Sequence, residues 1–307
     1  MRADLDHLPE PQQAELRRIT QILLEEFDKA VAGGTQPFRK TAQVLKIILF
    51  GSYARNDWVD EPQNGYQSDF DLLVIVSHEK LTDIADYWYV AEDRILRDPA
   101  IPRTVNLIVH TLQEVNDALA QGQYFFTDIA RDGIVLHELP NHPLATPRPA
   151  TPQAAYAAAK RYFERQAPAI DRYLKLTGVS LAESSEDSKW RTNAAFNLHQ
   201  ATETAYACYL LVRTLYFPRS HNIKFLRSLA EQSDARLVEA WPRDTRIDRR
   251  RFELLKRAYV EARYSPNYEI SAEDLEALAA CVARLRDLVE RVCKERLTVL
   301  KHEADSL

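Results

Sequence analysis

The chain has 307 residues, a formal net charge of −5, and 46% hydrophobic against 28% charged residues. That length exceeds a typical single domain, and the composition is that of a folded globular protein rather than a disordered or fibrous one. The mild negative charge excludes a general pull toward nucleic acid or an anionic membrane, and no apolar stretch nears the ~18 residues of a spanning helix. The opening Met1-Arg2-Ala3-Asp4-Leu5-Asp6 is not expected to act as a signal peptide, and Cys208, Cys281 and Cys293 are odd in number and far apart. Reduced thiols in the cytoplasm are the expectation, with no zinc spacing. Seven glycines are far fewer than the usual ~7% of residues, which favours a helix-rich chain.

In chain order, residues 9–32 read as an amphipathic helix ending near Gly33-Gly34. Residues 43–50 and 69–76 are apolar runs of strand length, and residues 104–110 form a third. Helices are expected over 82–97 and 111–121, then a short one over 125–133 capped by Gly133, then a last strand over 134–137. This half is expected to be a small mixed sheet with helices packed on it, an α/β (α+β) fold.

The chemistry concentrates between the first two strands. Gly51-Ser52-Tyr53-Ala54-Arg55 is a turn feeding a short helix, and Asp69-Phe70-Asp71 opens the next strand. Gly51 lets a phosphate approach the backbone without meeting a Cβ. The amides at the helix start, the Ser52 hydroxyl and the Arg55 guanidinium are donors for an anion. Asp69 and Asp71, two residues apart on a strand, share a face. Two such carboxylates repel unless a cation lies between them, and Mg2+ prefers oxygen ligands. Together these parts make a triphosphate and divalent-metal site. A chance Gly-Ser turn and a solvated Asp-x-Asp face are the ordinary alternatives for each part alone.

Leu49-Phe50-Gly51-Ser52-Tyr53-Ala54-Arg55, followed by Ser68-Asp69-Phe70-Asp71-Leu72-Leu73-Val74, resembles the signature of polymerase-β-like nucleotidyltransferases, the minimal bacterial branch above all. The resemblance covers residues 40–140. It implies that Asp69 and Asp71 hold metal and that Gly51, Ser52 and Arg55 hold phosphates. Two features depart from the family pattern. The spacer Asn56–Gln67, carrying Trp58, Asp60, Glu61 and Gly65-Tyr66, is long, and reads as a surface insertion or a substrate-specificity loop. Such enzymes also place a third Asp on a nearby strand, and the matching position here is Asn106, a poor base. His110 shares Asn106's face by parity, as an alternative base or a strand-end histidine.

Residues 140–152 hold five of the fifteen prolines and read as an extended linker between a first domain (1–139) and a second (153–303). The second shows no strand. Helices are expected over 152–177, ended by Gly178, then over 190–216, 221–232, 246–262 and 272–301, with a polar mobile loop over 179–188. The stripe Leu278, Cys281, Val282, Leu285, Leu288, Val289, Val292 is core or a dimer face, so a homodimer through the bundle stays open. His199, Glu203 and Tyr206 share a helix face, either lining a nucleotide cleft or hydrogen-bonded inside the bundle. The basic run Arg243–Arg251 reads as a solvated face or a domain-interface strip in preference to an RNA track.

Ala194–Glu203, Ser220-His221-Asn222-Ile223-Lys224-Phe225-Leu226 and Tyr259-Val260-Glu261-Ala262-Arg263-Tyr264-Ser265-Pro266 together resemble a HEPN domain, an all-α bundle that often accompanies minimal nucleotidyltransferases. Ribonuclease members follow the Arg with a His a few residues on. Arg263 has none, so RNA cleavage by a toxin restrained in cis is the weakest expectation, while Arg263 remains a candidate phosphate ligand. The resemblances imply a Mg2+-dependent transferase moving a nucleoside monophosphate from a triphosphate, ATP by expectation, to a hydroxyl. The acceptor would be a protein tyrosine, as in toxin–antitoxin or defence pairs, or a small molecule. A nucleotide-binding regulator with weakened catalysis is the alternative. A membrane partner is not expected.

Overall fold

Two strands are buried along their whole length: β1 (Val44–Phe50) and β4 (Phe70–Val76). Runs of β-branched and long aliphatic residues covered on both faces belong at the centre of a sheet, and the computed structural model places them there. Its described residues are 1–61, 66–218 and 220–306. They divide into two compact units, Met1–Pro149 and Ala150–Leu307.

The first unit carries a four-stranded sheet in the order β5-β4-β1-β6, with β5 at Val105–Thr111 and β6 at Ile134–Glu138. β1 runs antiparallel to β4 and β6, whereas β4 and β5 are parallel. A parallel neighbour demands a crossover. Here it passes through the single turn α4 (Ile84–Tyr87) and α5 (Tyr89–Arg97). The continuous helix expected over 82–97 is therefore broken at Trp88, whose ring is fully buried and whose Nε1 donates to the Leu81 carbonyl at 2.7 Å. Burying a large indole with its N–H satisfied outweighs one regular helical turn.

Helix α1 (Glu10–Val31) buries Leu16, Ile19, Ile22, Leu23 and Phe27, and Phe27 stacks on Trp88 at 5.2 Å. A further turn, α2 (Pro37–Lys40), precedes β1, and α3 (Ser52–Arg55) follows it. The 56–67 segment forms a small antiparallel ribbon, β2 (Asp60–Glu61) with β3 (Tyr66–Gln67). Its tip, including Gly65, lies outside the described residues, as do the side chains of Glu61 and Tyr66. Helices α6 (Leu112–Ala120) and α7 (Tyr124–Asp132) complete the unit. Gly133 ends α7 without the left-handed conformation of a glycine cap; its φ is −63°. Glycine is needed there for space, because a Cβ would sit 2.8 Å from the Ile48 side chain. Between β6 and the next helix the chain has no regular structure, and it is tied to α6 by Ala145 N to Asn116 Oδ1 at 2.7 Å.

The second unit is helical among its described residues: α8 (Pro152–Glu183), α9 (Trp190–Thr214), α10 (Ile223–Ser233), α11 (Arg246–Tyr264) and α12 (Ala272–Asp305). Gly178 does not end α8, and residues 179–183, expected in a loop, continue the helix. Packing of α8 on α9 and α12, with Ile170, Thr177 and Ser180 buried, outweighs the ~1 kcal/mol helix penalty of one glycine. Of the α12 stripe, Leu278, Val282, Leu285, Leu288, Val289 and Val292 are buried in the core, and Cys281 is half-buried at its margin. Within the basic run, Arg250 and Arg251 both pair with Asp274 of α12, and Thr245 caps α11.

Candidate functional site

The end of β1 delivers Gly51 at φ 75°, ψ −152°, a region open essentially to glycine alone. A second constraint acts at the same atom. A Cβ on Gly51 would overlap the Asp71 carboxylate, so the turn and the acidic strand start are in direct apposition. Gly51→Ala is accordingly expected to destabilise the first unit by about 1–3 kcal/mol and displace Asp71. Unfolding midpoints and triphosphate titration would check this, and a variant matching wild type in both would contradict it.

Ser52 follows, 4% exposed, with no hydrogen-bond partner for its Oγ among the described residues. A buried hydroxyl without a protein partner calls for an explanation, and a ligand oxygen would supply one. Asp69 precedes β4 and Asp71 lies in it; both are buried, Asp71 completely. The parallel register sets Asp71 opposite Asn106. Asn106 Nδ2 donates to Asp71 Oδ1 at 2.9 Å and reaches Asp69 Oδ2 at 3.4 Å, so one amide bridges both carboxylates.

Arg55 closes the turn, and its Nε donates to Asp57 Oδ2 at 3.1 Å. His110 pairs with Ile75 in the register, four residues from Asn106 and so about 13 Å along the strand. Its Nδ1 contacts Glu114 Oε2 at 3.1 Å and its ring meets Phe126 edge-on. His110 shares Asn106's face but anchors α6, too far along the strand to serve as base for the carboxylate pair.

The glycine cradle and the Ser52 hydroxyl suit phosphate oxygens, and the two carboxylates, to which Asn106 turns its Nδ2, are hard donors suited to Mg2+. Among the described residues no group of three or more His, Cys, Asp or Glu side chains is arranged for a metal. Mg2+ bound through one or two carboxylates ordinarily completes its shell with phosphate oxygens and water.

Residues 36–117 match the family model described as a nucleotidyltransferase domain, and residues 179–292 match that described as a HEPN domain. The chain joins a nucleotidyltransferase domain to a HEPN domain. A search of curated proteins finds no match to it.

In the HEPN domain, Arg263 lies over the rings of Phe196, Tyr259 and Tyr264 at 4.5–5.1 Å, with its Nε donating to the Tyr259 carbonyl. His221 arrives from the segment before α10 and stacks on Tyr259 at 4.3 Å, its Nδ1 3.0 Å from Glu203 Oε2. No sequence spacing connects His221 with Arg263; only the fold does. Tyr206 is buried and accepts from Trp241 Nε1 at 2.7 Å. His199 differs from the expectation of an internally hydrogen-bonded residue. It is fully buried, and neither ring nitrogen has a hydrogen-bond partner among the described residues. Burial, then the neighbouring His221 and Arg263, pull its pKa down to about 4.

Sequence reading missed one element of the first unit. Arg103, just before β5, is buried and contacts Tyr53, Glu15 and Asp60. Its partners come from segments distant in the chain, and a lone arginine carries no periodic signal.

Proposed function

We propose that the nucleotidyltransferase domain moves a nucleoside monophosphate, AMP by preference, from a triphosphate to a hydroxyl acceptor with the aid of Mg2+. The observation that carries this is the apposition of Gly51 to the Asp71 carboxylate, beside a buried Ser52 hydroxyl with no partner among the described residues. Gly51 and Ser52 would hold phosphate oxygens, with Arg55 adding charge once it leaves Asp57. Asp69 and Asp71 would hold the cation, which when bound neutralises phosphate charge and orients the leaving group. Arg263 is a candidate for phosphate contact within the HEPN domain.

Incubation with Mg2+ and each labelled triphosphate, read by intact mass and pyrophosphate release, tests the proposal. A mass gain of a nucleotide unit identifies a protein acceptor, as expected in a toxin–antitoxin or defence setting. Pyrophosphate release that appears only with an added hydroxyl compound identifies a small-molecule acceptor. Absence of Mg2+-dependent binding for all four triphosphates would reject the reading.

The Asn106 bridge favours a second reading, in which nucleotide binding regulates the protein with little turnover. An amide is no general base, and general bases contribute about 10²–10⁴-fold. Asn106→Asp is expected to raise transfer by about tenfold or more. An active wild type with no gain in the variant would show that another group takes the acceptor's proton.

A further inference from the structure

We infer that Arg103 is a positioning residue of the nucleotide site, fastening the β2–β3 ribbon to the Gly51–Ser52 turn and to the start of the acidic strand. The inference rests on the nucleotide-site reading above.

One guanidinium serves three segments. Arg103 Nε donates to Tyr53 Oη at 2.9 Å, and Tyr53 directly follows Ser52. Nη2 donates to Asp60 of β2, and Nη1 to Glu15 of α1. Asp60 Oδ1 accepts in turn from Gln67 Nε2 of β3 at 2.9 Å, so both ribbon strands are held. The guanidinium also lies 5.8 Å from the ring of Phe70, the residue between Asp69 and Asp71. Tyr53 packs on Phe70 at 4.4 Å and on Trp58 at 5.4 Å. Arg103 itself stands three residues before Asn106. Every segment that supplies a candidate ligand of the nucleotidyltransferase domain is thus within one or two residues of this hub or on the strand it precedes.

Stability alone is a weak reason for such a group. Breaking a buried ion pair is costly, but a well-packed apolar replacement is often as stable. What a planar fork does better than apolar packing is hold several oxygens at fixed directions. The oxygens here belong to the ribbon, to α1 and to the residue after the phosphate-facing serine. The described ribbon strands are therefore tied through Asp60 and Arg103 to Tyr53, and this attachment sets where Ser52 and the carboxylates stand.

Asp60→Asn tests this with little risk to folding, because the Asp60 side chain is 24% exposed and Arg103 keeps its pairing with Glu15. Arg103→Lys is the companion variant, keeping the charge and losing the fork. The affinity of each ribonucleoside triphosphate with Mg2+ is titrated well below the unfolding midpoint, beside amide exchange of residues 51–55 in the free protein. The expected result is a fall in affinity of about 10-fold to 100-fold in both variants, with faster exchange at Ser52–Arg55. The double variant should be no weaker than the worse single one, since both remove the same coupling. A folded Asp60→Asn protein with wild-type affinity and unchanged exchange overturns the inference, whatever its midpoint. Wild type and Asp69→Ala separate the two levels of the argument. If wild type binds equally in Mg2+ and in EDTA, or Asp69→Ala binds as wild type does, the site reading itself fails and this inference with it.

Discussion

Asp71→Asn will remove the Mg2+-dependent part of triphosphate binding, by about 10³-fold or about 4 kcal/mol, while leaving the fold intact. The side chain has no freedom to compensate. Asp71 is completely buried in a central strand, paired with Phe50 on one side and Asn106 on the other, with its carboxylate against Gly51. The substitution is nearly isosteric, and the carbonyl oxygen of the new amide can still accept from Asn106 Nδ2. Only the charge is lost, and with it half of the anionic pair available to a divalent cation. Titration of labelled triphosphate in Mg2+ and in EDTA, with unfolding curves alongside, measures the effect. A folded variant with undiminished Mg2+ dependence would remove Asp71 from the metal site.

The second large effect is in the HEPN domain and depends on pH. His199 is neutral at pH 7, because burial first, then the charges of His221 and Arg263, hold its pKa at about 4. Glu203 Oε2 stands 3.9 Å from its Nδ1 and does not offset that burial. The aromatic faces of Tyr259 and the buried helix around it offer no countercharge. In the unfolded chain the same imidazole titrates near its ordinary value of 6.5. Between these values the unfolded chain binds a proton that the folded chain refuses. Stability is therefore full above pH ~6.5, falls as the pH drops through that value, and levels off near pH 4. The whole loss is about 3 kcal/mol, with about 2 kcal/mol of it gone by pH ~5. Denaturant unfolding of wild type and His199→Phe at pH 7 and pH 5 separates this group from the other titrating ones. The variant should lose about 2 kcal/mol less than wild type over that interval. Equal losses in both would show that His199 is protonated in the folded domain or is not buried.

The local pattern of the chain carries most of the first unit. Strands β1 and β4 are visible as unbroken apolar runs because a central strand is covered on both faces. Gly51-Ser52 and Asp69-Phe70-Asp71 are visible because a tight turn and a shared strand face are short-range requirements. The second unit is visible as long helical periods, yet Gly178 misleads there, since glycine's penalty is small against the packing of α8 on two neighbours. The break at Trp88 misleads in the opposite direction. Helical periodicity continues through 82–97, and only the depth of the indole's pocket interrupts it.

Residues that meet across the fold are another matter. Asn106 could be aligned with a missing carboxylate from its strand, but its bridging of Asp69 and Asp71 follows from the parallel register of β5 on β4. His110 lies on the correct face and too far along the strand, a difference in distance that parity does not encode. Arg103 joins Glu15, Tyr53 and Asp60 across up to 88 residues of chain, and His221 reaches the Tyr259–Arg263 stack from the segment before α10. Periodicity and turn chemistry act over a few residues, so they dictate which elements form and which faces they bury. Register, helix packing and the convergence of single charged groups depend on how those elements pack, and there the tertiary structure alone selects the partners.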